Sequence, residues 1–183
     1  EEQMNAEQTP PELPILPLRN TVLFPGVVIP ITVGRDRSIR LIQEVYRGNK
    51  TLGVASQKDS SIEDPRVEDL NKVGTIATII RMLRMPDGST TAIIQGKKRF
   101  EIIEVTKTDP YFTANVKEFT EQRPAKGDKS FEALVSSLKD LAIQIIKASP
   151  YIPTEAGFAI KNIDSPSFLV NFISSNMNAE VAE

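Results

Sequence analysis

The sequence predicts an α+β fold: a small barrel of six or seven short strands carrying one helix, followed by a helical lobe. Three observations predict it. Short β-type runs are punctuated by Pro14, Pro17, Pro25 and Pro30, and proline confines strands to edges, bends and bulges. A long apolar run and a second β-type run flank Pro86-Asp87-Gly88, which marks a hairpin. Beyond residue 130 the apolar spacing changes from two residues to three and four, the period of helices.

Residues 1–12 are acidic and polar and read as a disordered tail. Residues 14–19 and 27–33 read as the first two strands, joined by the Phe24-Pro25-Gly26 turn. Gly34 breaks the run. Asp36 is expected to cap a helix with Ile39, Ile42, Val45 and Tyr46 at helical spacing, ended by Gly48-Asn49. Residues 52–56 form a short strand, and the polar stretch 57–66 reads as a surface loop. Residues 74–84 and 90–95 form the hairpin. Residues 98–106 and 111–119 supply two more strands around an Asp109-Pro110 turn.

Pro124 and Gly127 lie in a polar stretch, giving a β-rich lobe at 13–120, a linker at 121–129 and a helical lobe at 130–183. Leu134, Val135, Leu138, Leu141, Ala142, Ile145 and Ile146 trace one amphipathic helix, which Pro150 stops. Asp128 is expected to act as a cap. Thr154 and Ser165 are expected to cap two further helices, the second with Pro166 in its first turn. Three helices with apolar faces must pack together or onto the barrel.

The 183 residues are 40% hydrophobic, enough for a real core. A net charge of −2 gives no footprint for nucleic-acid binding. No apolar run approaches the roughly 18–20 residues that span a bilayer. There is no Cys or His, which excludes disulfides, thiol nucleophiles and Ser-His-Asp triads and argues against catalytic zinc. No catalytic, cofactor-binding or metal-binding residues are assigned. Cys-free composition suits the cytoplasm. The absence of an initial Met hints at a piece of a longer polypeptide.

Phe24, Pro25, Val27 and Val28 make an apolar turn that is either a plug for the core or an exposed patch for unfolded polypeptide. Met82 reads as core and Met85-Pro86 as exposed beside the hairpin tip, where adaptable Met suits promiscuous contacts. Lys97-Lys98-Arg99 reads as a solvated turn. Arg81 and Arg84 are expected to pair across strands with Glu101 and Glu104. Glu63, Asp64, Glu68 and Asp69 lack the alternating ligand loop of a calcium site.

Several short elements occur in order along the chain: Pro17-Leu18-Arg19-Asn20, Leu23-Phe24-Pro25-Gly26, Val33-Gly34-Arg35 with Ser38, Asp69-Leu70, Val73-Gly74-Thr75, the Pro-Asp-Gly hairpin, Gly96 to Arg99, and Ser165-Pro166-Ser167-Phe168-Leu169. Together they resemble the amino-terminal, substrate-recognition domain of the Lon ATP-dependent serine proteases. One departure is Asn71, where that family often carries an aromatic. The resemblance implies a PUA-like β pseudobarrel followed by a helical bundle. It implies a non-catalytic domain that binds unfolded or damaged polypeptides and supports assembly of a homo-hexameric parent. ATP and Mg would belong to the parent, because this chain has no phosphate loop of the G-x-x-x-x-G-K-[ST] type. The alternative is a stand-alone adaptor or ligand-binding module of the same fold.

Overall fold

The computed structural model describes residues 8–182. The chain divides into two compact units, the second being Thr120–Asn176. Residues 1–7 of the expected tail lie outside the described residues. Glu12, its last residue, opens the first strand, β1 (Glu12–Leu18), and accepts a 2.6 Å hydrogen bond from the Thr106 hydroxyl.

Six strands build the first unit. β2 is Val28–Val33, β3 Thr51–Ser56, β4 Val73–Arg84, β5 Thr90–Lys107 and β6 Thr113–Glu118. Proline in β1 withholds N–H groups, and the strand changes partner there. Glu12, Leu13 and Pro14 run antiparallel to β6, while Ile15 to Leu18 run parallel to β3. β4 pairs with β3 and β5, and the far half of β5 pairs with β6. These pairings close a ring, β1-β3-β4-β5-β6, which leaves β2 attached outside it along the first half of β5.

β3 is buried on both faces and separates two cores. On one side Leu52 and Val54 join Leu16, Ile31, Ile79 and Ile94 beneath a helix, α1 (Asp36–Arg47), which contributes Leu41, Ile42 and Val45. On the other, Phe100 packs with Leu13, Ile15, Ile76 and Phe112. Two glycines permit this second core. A Cβ on Gly53 would lie 2.7 Å from the Phe100 ring, and one on Gly74 would lie 2.2 Å from the Val54 carbonyl oxygen.

Several expectations are corrected. The runs at 90–95 and 98–106 are one 18-residue strand, because Gly96 sustains the ladder. Asp36 is the first helical residue of α1 and not its cap; Arg35 holds the capping position and no side chain bonds the end. The buried face of α1 includes Ser38 and Leu41, with Ile39 only half-buried. Gln57 is 2% exposed: its Nε2 donates to the Asp59 and Ile62 carbonyls, so the polar stretch folds around it. Arg81 and Arg84 stand opposite Ile93 and Thr90, whereas Glu101 stands opposite Val73, so the expected ion pairs do not form. Lys98 instead reaches Glu118 at 3.5 Å. Asn71 bonds the Ser56 carbonyl through both its backbone N–H and its Nδ2.

The second unit holds α2 (Lys129–Ala148), α3 (Glu155–Lys161) and α4 (Pro166–Ser175). Asp128 caps α2 by accepting from Ser130 and Phe131 N–H, and Ser165 caps α4 by accepting from Phe168 N–H. Thr154 makes no such bond, because its own backbone is already helical. Ile146, Ile160 and Leu169 form the centre where the three helices meet. The apolar residues of α2 exceed that seam: Leu134, Leu141 and Ile145 remain exposed.

Two outcomes follow from this packing. Gly74→Ala should destabilise the chain by about 3 kcal/mol, since a backbone carbonyl cannot move aside; Gly157→Ala, with open space around it, should be neutral or stabilising by up to about 1 kcal/mol. Urea unfolding followed by circular dichroism checks both. Glu44 accepts hydrogen bonds from Arg40 and from the Tyr111 hydroxyl, which hold its carboxyl below the usual range. Its stabilising contribution is therefore present at neutral pH and lost as pH falls from the ordinary carboxylate range through the lowered value. The melting-temperature difference between wild type and Tyr111→Phe should be present at pH 7 and shrink as pH falls below about 4.

Candidate functional site

The apolar turn after β1 is clamped to the sheet from several directions. Thr75 donates its hydroxyl to the Leu23 carbonyl at 2.6 Å. Gly26 N–H bonds the Gly96 carbonyl, and Gly96 N–H bonds the Val27 carbonyl. A Cβ on Gly96 would fall 2.4 Å from the Phe24 carbonyl oxygen, so only glycine allows this approach. Gly26 has φ +80°, which the turn requires. Leu23 is the buried member of the turn; Phe24, Pro25 and Val27 are half-buried and Val28 is exposed.

The β4–β5 hairpin closes tightly. Gly88 N–H bonds Met85 O, Gly88 has φ +86°, and Met85 N–H bonds Ser89 O. This is a turn followed by a left-handed residue, the geometry of a three-residue hairpin loop. The Asp87 carboxylate accepts from the Ser89 hydroxyl and N–H, which lowers its pKa. Met85 and Pro86 are exposed beside it, while Met82 packs against the core.

The sequence-predicted residues thus fall at opposite ends of β2. Val28 pairs with Gln95, while Val33 pairs with Thr90 at the hairpin end, roughly 17 Å away along the strand. What joins them is the outer face of β2, β5 and β4. Ile29, Ile31 and Val33 point inward, so Val28, Pro30 and Thr32 point outward. Beside them lie Ile93 and Thr91 on β5, with the Thr32 and Thr91 hydroxyls 2.9 Å apart. On β4 a register shift between Ile79 and Arg81 leaves Ile80 outside the ladder, and Leu83 stands opposite Thr91. Ile80 is 51% exposed and Leu83 48%. The result is an exposed apolar strip running from Val28 through Pro30 and Ile80 to Leu83 and Met85.

Ile80, Leu83 and Pro30 are the residues that sequence reasoning missed. Strict alternation along β4 gave no warning of Ile80, because the bulge alters its phase. Leu83 was visible as an apolar residue between two arginines. Arg81 stands opposite Ile93 and interrupts the strip with positive charge, and Arg84 is exposed at its hairpin end. Among the described residues no group of three or more potential metal ligands comes together, and no helix is long and apolar enough to cross a membrane.

Comparison with known proteins gives a consistent result. The family model of the ATP-dependent protease La (LON) substrate-binding domain matches residues 12–183. The Lon protease of Flavobacterium johnsoniae is 61% identical over the whole chain, which covers 22% of that protein. The Lon protease of Cytophaga hutchinsonii is 49% identical over the same extent, again 22% of its length. The chain therefore spans about a fifth of the length of the curated relatives it matches. Among solved structures, the N-terminal domain of the Mycobacterium avium complex Lon protease superposes with a TM-score of 0.70 at 23% identity, covering 91% of this chain and 83% of that one.

If the strip is a true surface and not part of the core, Ile80→Lys and Leu83→Lys should each change unfolding free energy by no more than about 0.5 kcal/mol. Both should lower the fluorescence of an added apolar dye. A cooperative loss of stability in either variant would place that side chain in packing instead.

Proposed function

The chain belongs to the ATP-dependent protease La (LON) substrate-binding domain family, and we propose that it holds unfolded or damaged polypeptides for a Lon-type ATP-dependent protease. The observation that carries this reading is the exposed apolar strip on the outer face of β2, β5 and β4. In this reading the domain itself is non-catalytic. Hydrolysis of peptide bonds, with ATP and Mg, belongs to other parts of a homo-hexameric parent in the cytoplasm. In this reading the strands at 13–120 are a PUA-like pseudobarrel, joined by the linker 121–129 to the helical lobe at 130–183.

The chemistry of the strip sets the character of the binding. Burying one Leu-sized side chain is worth roughly 1.5–3 kcal/mol. Two or three such contacts, less the cost of ordering a flexible chain, give dissociation constants of about 0.1–1 mM. Weak capture of this kind tolerates many sequences. Several copies on a ring then gain affinity through effective concentration.

The test is binding of the 183-residue chain to a permanently unfolded probe, carboxymethylated lactalbumin. Leu83→Lys and Met85→Lys should weaken capture about fivefold each, the loss of one partly buried apolar contact. Phe24→Lys tests the turn, with folding checked first because Phe24 is half-buried. Wild-type capture by the Leu83 and Met85 variants would remove the strip from the binding site.

A further inference from the structure

A groove of about 420 Å³ lies between the β2 strand, the end of β1 and the amino end of α1, and it shares Pro30 and Thr32 with the outward face of β2. Its walls include Pro17, Leu18, Ile31 and Val33, and its charged lining is Arg19 and Arg35. Among the described residues no carboxylate lines it. Three features of the groove point the same way.

The first is the helix end. The first intrahelical bond runs from Ile39 N–H to the Arg35 carbonyl, so the N–H groups of Asp36, Arg37 and Ser38 have no acceptor within α1. No side chain caps them. Three free N–H groups at the positive end of a 12-residue helix favour an anion.

The second is Ser38. It is 9% exposed, it lines the groove, and among the described residues its hydroxyl has no hydrogen-bond partner. A ligand oxygen in the groove would give this hydroxyl the partner it lacks within the protein. Ser38 and Arg35 also line a second pocket of about 20 Å³, which the Asp64 carboxylate borders.

The third is the pair of arginines. Arg35 donates through Nη2 to Gln57 Oε1 at 3.0 Å, and Arg19 donates through Nη2 to the Ile62 carbonyl at 3.2 Å. Gln57 Nε2 bonds that same carbonyl, so both guanidinium groups are anchored on one loop with most of their donors unused. Burial, followed by the nearby charge of Arg19, lowers the pKa of Arg35, and Asp64 and Glu63 only partly offset this. Two anchored like charges beside one another are relieved by an anion placed between them.

We propose that this groove is an oxyanion site, in which Arg19, Arg35, the Ser38 hydroxyl and the free N–H groups of α1 hold a carboxylate or phosphate group. The apolar walls suit the terminal carboxylate of an extended peptide; a free or ligand-borne phosphate presents the same acceptor oxygens. The groove shares Pro30 with the apolar strip, but its arginines, its serine and its helix end take no part in apolar capture, so its failure would leave that reading untouched.

The experiment is a titration of the 183-residue chain at constant ionic strength in chloride buffer, read by amide ¹H–¹⁵N NMR. The ligands are inorganic phosphate and a short apolar peptide with either a free or an amidated C-terminus. Saturable shifts at Arg37, Ser38 and Ile39 are expected with phosphate, with the free-acid peptide, or with both. Preference for the free acid over the amide identifies the peptide terminus as the source; a phosphate response alone identifies phosphate. Arg19→Gln should weaken binding about tenfold, the weight of one charge-assisted bond. Ser38→Ala should weaken it by about threefold or more while melting stays near wild type. Ile80 and Leu83 amides report the apolar strip in the same spectra and should stay still with phosphate. Absence of saturable shifts at the α1 end, or shifts that Arg19→Gln leaves unchanged, overturns the proposal.

Discussion

The fully buried ring of Phe100 lies against Gly53 on β3 and Gly74 on β4, and much of the first unit follows from that contact. Because neither glycine has a side chain, the ring sits between strands that would otherwise hold it off. Phe100 lies in the short stretch of β5 that pairs with β4 on one side, opposite Gly74, and with β6 on the other, opposite Glu118. The same ring therefore fills the space around which β1, β3, β4, β5 and β6 close. One position along β4, Thr75 reaches the Leu23 carbonyl, and four positions back along β5, Gly96 admits the Phe24 carbonyl. The apolar turn is thus fixed by the same stretch of sheet that seats the ring.

This explains several short elements that stand out in the sequence. Val73-Gly74-Thr75 combines a glycine required by close approach with a hydroxyl that ties down a distant turn. Gly96 serves the approach from the other side. Asn20 adopts φ +52°, a conformation that asparagine tolerates better than most residues. Gly34 is different: nothing lies within 4 Å of a Cβ built there, so packing does not account for it.

Local chemistry made much of the fold legible. Pro-Asp-Gly marked the hairpin, Asp128 and Ser165 marked their helices, and the apolar period marked α2. What stayed hidden depends on neighbours distant in sequence. Nothing near Gln57 shows that Arg35 and two loop carbonyls satisfy it in the interior. The pairing partners of Arg81 and Arg84 depend on register, which two bulges in β4 and β5 shift. The candidate face was legible only in part for the same reason. Met85 was recognisable as exposed and Val28 only as part of an apolar turn, and the residues that connect them come from three strands and one bulge.

Pro30 stands at the centre of β2, a strand that pairs on one side only, with β5. Its missing N–H and its ring make the free edge a poor template for another strand. For the proposed capture of unfolded chains, which are rich in segments ready to extend a sheet, this means that a bound chain would be held by its side chains and not zipped into the ladder. It would remain free to slide and leave, and the domain would be protected from seeding aggregates of what it holds.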